Sequence, residues 1–111
     1  MKQWKNIGSA ADFYKIIEDS VTQPQVIFKD STTCGISAHA KARLEEGYDK
    51  IAGKAAFNYL DLLSFRAVSQ LIAQELQVTH QSPQIIVLKD KKAVYSSSHH
   101  AIDAADIAKH L

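Results

Sequence analysis

Cys34, the only cysteine in the chain, is the residue whose chemistry the sequence indicates most directly. It lies in Thr32-Thr33-Cys34-Gly35-Ile36-Ser37, where a strand pattern ends and a helix pattern begins. Only a thiolate attacks disulfides or binds metals, and backbone dipoles at the start of a helix stabilise an anion. We therefore predict that Cys34 is a reactive thiol, the alternative being an inert buried cysteine. Because the chain has no second cysteine, any redox reaction needs a thiol from outside it.

Three neighbours are predicted to tune this thiol. Ser37 lies on the same helical face as Cys34, so its hydroxyl can donate to the sulfur, and Gly35 leaves room for backbone N–H groups to approach an anion. Lys29, at the end of the preceding strand, is the nearest cation in sequence. An oxidoreductase with two cysteines would carry the resolving cysteine at the position of Ser37. Two simpler interpretations stay open: Ser37 as an ordinary serine early in a helix, and Lys29 as a solvated lysine at a strand end.

Composition narrows the class of protein. With 111 residues and 46% hydrophobic content, the whole chain (1–111) is expected to form a single domain with its own core. A lone cysteine argues against a secreted disulfide scaffold. Residues 1–6 carry no apolar run behind their lysines, so no signal peptide, membrane span or membrane partner is expected, and the predicted location is cytoplasmic. The net charge of +1 indicates no nucleic-acid partner. Adjacent His99 and His100 fit zinc spacing poorly, so no metal site is predicted.

Hydrophobic patterns alternate between helix and strand along the chain. Ser9 is predicted to cap the first helix and Thr33 the second, whose Ile36, Ala40 and Leu44 would form its apolar stripe. Helices are predicted over about 10–20, from Thr33 to about Gly47, from 64 or 65 to 76, and over 103–110, with strands over 25–29, 55–61, 84–88 and 93–96. The order α-β-α-β-α-β-β-α places this chain in the α/β class with a terminal hairpin.

This order, with a reactive cysteine after the first strand and a proline before the hairpin, resembles the thioredoxin fold over about residues 24–111. The implied architecture is a central mixed sheet of about four strands flanked by helices, with an extra N-terminal helix. Within that superfamily, the motifs Thr33-Cys34-Gly35-Ile36-Ser37 and His80-Gln81-Ser82-Pro83-Gln84 resemble the monothiol bacilliredoxin family of bacillithiol-producing, low-GC Gram-positive bacteria.

The resemblance implies a thiol-disulfide oxidoreductase of the stress response that removes bacillithiol from mixed disulfides on cytosolic proteins. Bacillithiol would be a co-substrate rather than a bound cofactor. Free bacillithiol, a second redoxin or a reductase would reset Cys34. The resemblance also implies that Pro83 is cis and faces Cys34, that the Ser82 backbone pairs with extended substrate, and that His80 and Lys29 contact the adduct. A solvated His80 and a trans Pro83 are the plainer alternatives.

Three other functions remain open. Glutathione can take the place of bacillithiol in the same reaction. An Fe–S carrier is a different class, because C-G-I-S differs by one residue from the C-G-F-S of monothiol glutaredoxins that bridge a cluster between two chains. Against it, only four residues separate Lys29 from Cys34, and Ser82 replaces their usual apolar residue before proline. The third is a catalytically idle thioredoxin-like binding module, which predicts an ordinary pKa for the Cys34 thiol.

Overall fold

The computed structural model describes residues 4–111, so the expectation for the first three residues of the N-terminus lies outside it. The helices are α1 (Ala10–Asp19), α2 (Gly35–Glu46), α3 (Arg66–Leu76) and α4 (Ala104–Ala108), and the strands are β1 (Lys5–Asn6), β2 (Gln25–Asp30), β3 (Ala56–Asp61), β4 (Gln84–Lys89) and β5 (Lys92–Ser98). Short 3₁₀ turns lie at Tyr48–Lys50 and His99–Ala101. No helix within residues 4–111 has the length and hydropathy needed to span a membrane.

The strands form one mixed sheet in the order β1-β3-β2-β4-β5. β2 runs parallel to β3 and antiparallel to β4, and β4 and β5 form the predicted hairpin. The α/β class and the mixed sheet are therefore confirmed. The count of about four strands is short by one, because β1 pairs with β3 through only two residues and so carries no periodicity that a sequence pattern can reveal.

Alternation along β2 separates two hydrophobic layers. Val26 and Phe28 pack with residues of α2 and α4 on one face. Ile27 packs on the other face with residues of α1 and α3. Because successive strand side chains point to opposite faces, the last two residues of β2, Lys29 and Asp30, enter different layers.

The N-terminal helix begins as expected. The Ser9 hydroxyl oxygen accepts a hydrogen bond from the Asp12 backbone N–H at 3.1 Å, and Phe13 is fully buried. The predicted cap and the extra N-terminal helix are confirmed. The cap satisfies one of the N–H groups that a helix start leaves without an intrahelical partner.

The buried stripe of α2 differs from the predicted one at its first position. Ser37, Ala40 and Leu44 are buried, whereas Ile36 is 38% exposed. The stripe thus begins with a serine, one residue later than the apolar pattern indicated. A hydrophobic side chain, Ile36, is left on the surface next to Cys34.

The loops that carry the two sequence motifs meet at one edge of the sheet. β2 and β3 are parallel and end there together, with Asp30 opposite Asp61. β4 is antiparallel to β2 and starts at the same edge, with Gln84 opposite Lys29. The loop after β2, which contains Cys34, and the loop before β4, which contains the Ser82–Pro83 bond, therefore lie on the same side of the molecule. That bond is cis, as the family resemblance implied.

Candidate active site

Cys34 is itself the N-cap residue of α2. Its backbone is extended, with φ −98° and ψ 128°. Its N–H donates to the Ser31 carbonyl at 3.0 Å, and its carbonyl accepts the first helical hydrogen bond from Ala38 N–H at 3.1 Å. The predicted cap, Thr33, was wrong by one residue. An N-cap side chain lies where the N–H groups of the second and third helical residues converge. In this protein that side chain is the Cys34 thiol.

This position lowers the pKa of Cys34 below that of an ordinary thiol. The largest cause is the backbone N–H of Ser37, followed by that of Ile36, and the Ser37 hydroxyl adds to them. Desolvation and the negative charge of Asp30 act in the opposite direction. Hydrogen-bond donors favour the charged form of a group that they face, so these donors stabilise the thiolate, the form that reacts. The thiol is partly exposed, as attack on a protein disulfide requires.

Ser37 is fully buried in the first turn of α2. Its hydroxyl oxygen accepts a hydrogen bond from the Ser31 N–H at 3.2 Å, which leaves the hydroxyl proton free to be donated to the Cys34 sulfur. Ser37 therefore joins the loop before the helix to the thiol itself. The predicted contact with the sulfur is consistent with its contribution to the pKa of Cys34.

The surface next to the thiol is open and partly apolar. A Cβ added at Gly35 would meet no atom within 4 Å, and Ile36 presents its side chain to solvent. Gly35 does not have a positive φ, so its value here is the absence of a side chain rather than an unusual backbone. A disulfide-bearing partner can approach Cys34 over these two residues.

Buried Asp30 and half-buried Tyr59 form a polar pair near the thiol that the sequence analysis missed. Asp30 is 2% exposed, its Oδ2 accepts a hydrogen bond from the Tyr59 hydroxyl, and its Oδ1 has no partner. Burial, followed by this hydrogen bond to Asp30, raises the pKa of Tyr59 above its ordinary value, which keeps the hydroxyl a donor. The sequence does hold one indication of this pair. Val26, Phe28 and Asp30 alternate along β2, which puts the Asp30 carboxylate on the buried face that α2 covers.

We expect Asp30→Asn to lower the pKa of Cys34. The change removes a negative charge that disfavours the thiolate but keeps an oxygen that accepts the Tyr59 hydrogen bond. Since alkylation follows the thiolate fraction, its rate-against-pH profile with iodoacetamide should shift to lower pH. Asp49→Asn, an exposed carboxylate outside the site, is the matched control and should leave the profile unchanged. An unshifted or upward-shifted profile for Asp30→Asn would contradict the electrostatic role.

Lys29 and His80 are brought together, but on the other face of the sheet, where Lys29 is buried and His80 is an exposed loop residue, as its plainer interpretation expected. The Lys29 side chain is fully buried, so its interpretation as a solvated strand-end lysine was wrong. Its Nζ donates to the Ser69 carbonyl at 3.0 Å and lies 3.3 Å from His80 Nδ1. Burial lowers the pKa of Lys29 to about 8. Hydrogen-bond donors, not this cation, lower the pKa of Cys34.

The loop before β4 is held at both of its ends. Pro83 is buried and its carbonyl accepts from the His99 N–H at 3.1 Å, while the Ser82 hydroxyl is buried without a partner. Gln84 donates from its side-chain amide to the Thr79 carbonyl at 3.0 Å. Ser82 and Pro83 thus have defined positions at the edge that also carries Cys34, and their contact with substrate stays a prediction.

A family comparison agrees with this geometry. The sequence model for monothiol bacilliredoxin BrxC matches residues 5–107. The chain belongs to the monothiol bacilliredoxin family. The resemblance drawn from the two motifs is therefore confirmed, and family and fold together indicate a thiol redox role for this bacilliredoxin.

Solved structures place the bacilliredoxin in the thioredoxin fold. A putative oxidoreductase with a thioredoxin fold is 26% identical at a TM-score of 0.84, with 97% of this chain and 93% of that chain covered. Mitochondrial thioredoxin 3 from Saccharomyces cerevisiae is 18% identical at a TM-score of 0.72, with 98% and 93% covered. Fasciola hepatica thioredoxin is 20% identical at a TM-score of 0.68, with 96% of this chain and 94% of that chain covered. At these last two identities the likeness concerns the fold alone.

Proposed function

We propose that this bacilliredoxin removes bacillithiol from mixed disulfides on cytosolic proteins, with Cys34 as the nucleophile. The observation that carries the proposal is the arrangement at the start of α2. A thiol with a lowered pKa forms the N-cap, and a serine fills the position three residues later. Such a site can accept an adduct, but it has no internal thiol to expel it.

The first step is a thiol-disulfide exchange. The Cys34 thiolate attacks the bacillithiol sulfur of the client's mixed disulfide, a new bond forms between the two sulfurs, and the client leaves as a thiolate. The backbone N–H groups of Ser37 and Ile36 stabilise the attacking anion. Because the same groups also weaken its nucleophilicity, a modest lowering of the pKa serves the exchange better than a large one.

The second step needs a partner from outside the chain. A thiolate of free bacillithiol, of a second redoxin or of a reductase attacks the bacillithiol sulfur of the adduct. A disulfide forms between the attacking sulfur and bacillithiol, the bond to Cys34 breaks, and Cys34 leaves as a thiolate. The reaction needs no bound cofactor, and bacillithiol acts as co-substrate. A reducing cytoplasm supplies these thiols, which is the compartment that we propose for this protein.

Contacts with the client are proposed at the sheet edge. The exposed Ile36 and the open surface at Gly35 offer an apolar approach to the thiol. The Ser82 backbone, next to the cis bond, is placed to pair with an extended segment of the client. Lys29 is fully buried, so it acts on the adduct through His80 rather than by direct contact.

Mass spectrometry of intact protein tests the proposal. Reduced bacilliredoxin is mixed with a single-cysteine model protein that carries either bacillithiol or glutathione. We expect the bacillithiol mass to appear on Cys34, located by peptide mapping, with an initial rate about tenfold above that for glutathione, a difference of ~1.4 kcal/mol in barrier. Protein alkylated at Cys34 beforehand is the control and should acquire no adduct.

Two results would change the assignment. Absence of an adduct from either donor would overturn the exchange mechanism and favour an idle binding module. Faster transfer from the glutathionylated donor would retain the mechanism but overturn bacillithiol as its co-substrate.

A further inference from the structure

Two buried polar side chains of the sheet hold the loop that leads into the cis-proline. Lys29 contacts His80 Nδ1 at 3.3 Å. Gln84 donates to the Thr79 carbonyl at 3.0 Å and accepts from the Gln81 N–H at 3.4 Å. Lys29 and Gln84 are register partners on adjacent strands, and they are 0% and 2% exposed. A buried cation is costly unless its N–H groups are used, which indicates that the position of Lys29 serves this loop.

The contact determines which nitrogen of His80 carries the proton. A lysine ammonium has only donors, so the ring atom that faces it, Nδ1, must be an acceptor. The remaining proton of the neutral ring then lies on Nε2. Ser69 from α3 also faces the ring, with its hydroxyl 3.4 Å from Nδ1, and it is uncharged. A protonated His80 would oppose an N–H and a positive charge to Lys29, and burial together with Lys29 lowers the pKa of His80.

His80 also lines an open groove of about 480 Å³ on the α3 side of the sheet edge. The other residues that line it are all uncharged: Gln70, Ala73, Gln74, Gln77, Val78 and Thr79. With Nδ1 occupied, the ring has one free polar group, the Nε2–H. A neutral donor in this place suits an acceptor oxygen, such as a carboxylate or hydroxyl of a bound thiol compound.

We propose that Lys29 is a positioning residue: its ammonium holds His80 as the neutral Nε2–H tautomer and so presents one fixed donor at the groove. The arrangement of the ring stands on the contacts alone. Its consequence for turnover rests on the proposed function. Lys29 itself, being buried, does not touch the substrate.

Nuclear magnetic resonance of ¹⁵N-histidine-labelled protein tests the ring directly. In the wild type we expect His80 to show the Nε2–H tautomer and to become protonated only at a lower pH than free histidine does. In Lys29→Met we expect a mixture of tautomers and protonation of His80 at a higher pH than in the wild type, because one of the two causes that lower its pKa is removed. Lys54→Met, which removes an exposed lysine, is the matched control and should leave His80 as in the wild type. An unchanged His80 in folded Lys29→Met would overturn the proposal.

A second measurement applies where Lys29→Met does not fold. In the wild type, the His80 ¹⁵N shifts should move a second time with a midpoint near pH 8, as Lys29 loses its proton. Flat shifts across that range would overturn the coupling between the two residues.

Kinetics test the consequence for turnover. Lys29→Met and His80→Ala should each raise KM for the bacillithiolated client several-fold with little change in kcat, and the double variant should add no further loss, since both act through one group. Unchanged KM with an altered ring would overturn the positioning role in turnover. Failure of the proposed function is separate, because it appears as absent adduct in the wild type.

Discussion

Cys34→Ser should slow transfer of bacillithiol from a client by about a thousandfold or more, the scale seen when a nucleophile is removed from a site whose other parts remain. A serine hydroxyl is almost entirely protonated at neutral pH, and within residues 4–111 no basic side chain is hydrogen-bonded to this position, so we expect it not to attack a disulfide sulfur. Single-turnover kinetics, with release of the client thiol measured by rapid quench and mass spectrometry, give the rate.

The substitution is a clean one because serine is a favoured N-cap residue. Its hydroxyl can accept from the same N–H groups that face the sulfur, so α2 should begin at Gly35 as before. Thermal denaturation of Cys34→Ser should therefore show no loss of stability, which separates lost chemistry from lost folding. Transfer at a rate near that of the wild type would show that another group is the nucleophile.

Ser37→Cys should convert an adduct that persists into one that is lost rapidly. The introduced thiol lies in the same helical turn as Cys34, so its thiolate attacks the Cys34 sulfur of the adduct. A bond forms within the helix turn, the bond to bacillithiol breaks, and bacillithiol leaves as a thiolate that takes up a proton. Intramolecular attack proceeds at an effective concentration of millimolar or more, so we expect the adduct lifetime, without added thiol, to fall at least about tenfold.

Intact mass spectrometry follows this change over time: the adduct mass should give way to protein two mass units lighter than the reduced form. Ser37→Ala is the matched control, because it removes the hydroxyl without adding a thiol and should retain the adduct. It should also raise the pKa of Cys34, since the Ser37 hydroxyl is one of the groups that lower it. An equally long-lived adduct in Ser37→Cys would show that this position is too constrained to resolve it.

The pattern of residues predicted most of the fold. Apolar periodicity located α1 and α3 to within a few residues, and short β-branched runs located β2 and β4. These elements can be predicted because buried and exposed positions alternate with the period of a helix or a strand, and the residue types along the chain show that period directly. β1 was not predicted, because it consists of two residues that pair with β3 only in the folded chain.

The sequence predicted the chemical groups of the candidate site better than it predicted which residues contact one another there. A single cysteine at a junction between strand and helix, with Ser37 in the place of a second one, is evident from residue types and spacing alone. The exact start of the helix was not, since Thr33 and Cys34 both suit the boundary. Hydrogen bonds from Cys34 to Ser31 and from Ala38 to Cys34 decide it in favour of the cysteine.

The sequence by itself therefore determined that this protein has one thiol, no second cysteine to resolve an adduct on it, and a strand-helix frame to hold it. Only the tertiary structure decided which charged groups surround that thiol. Lys29 and Asp30 are adjacent in sequence, yet strand alternation sends the lysine to His80 on one face and the aspartate to Tyr59 on the other. Their partners lie 51 and 29 residues away along the chain. Only sheet pairing and helix packing, which depend on the whole chain, bring these residues into contact.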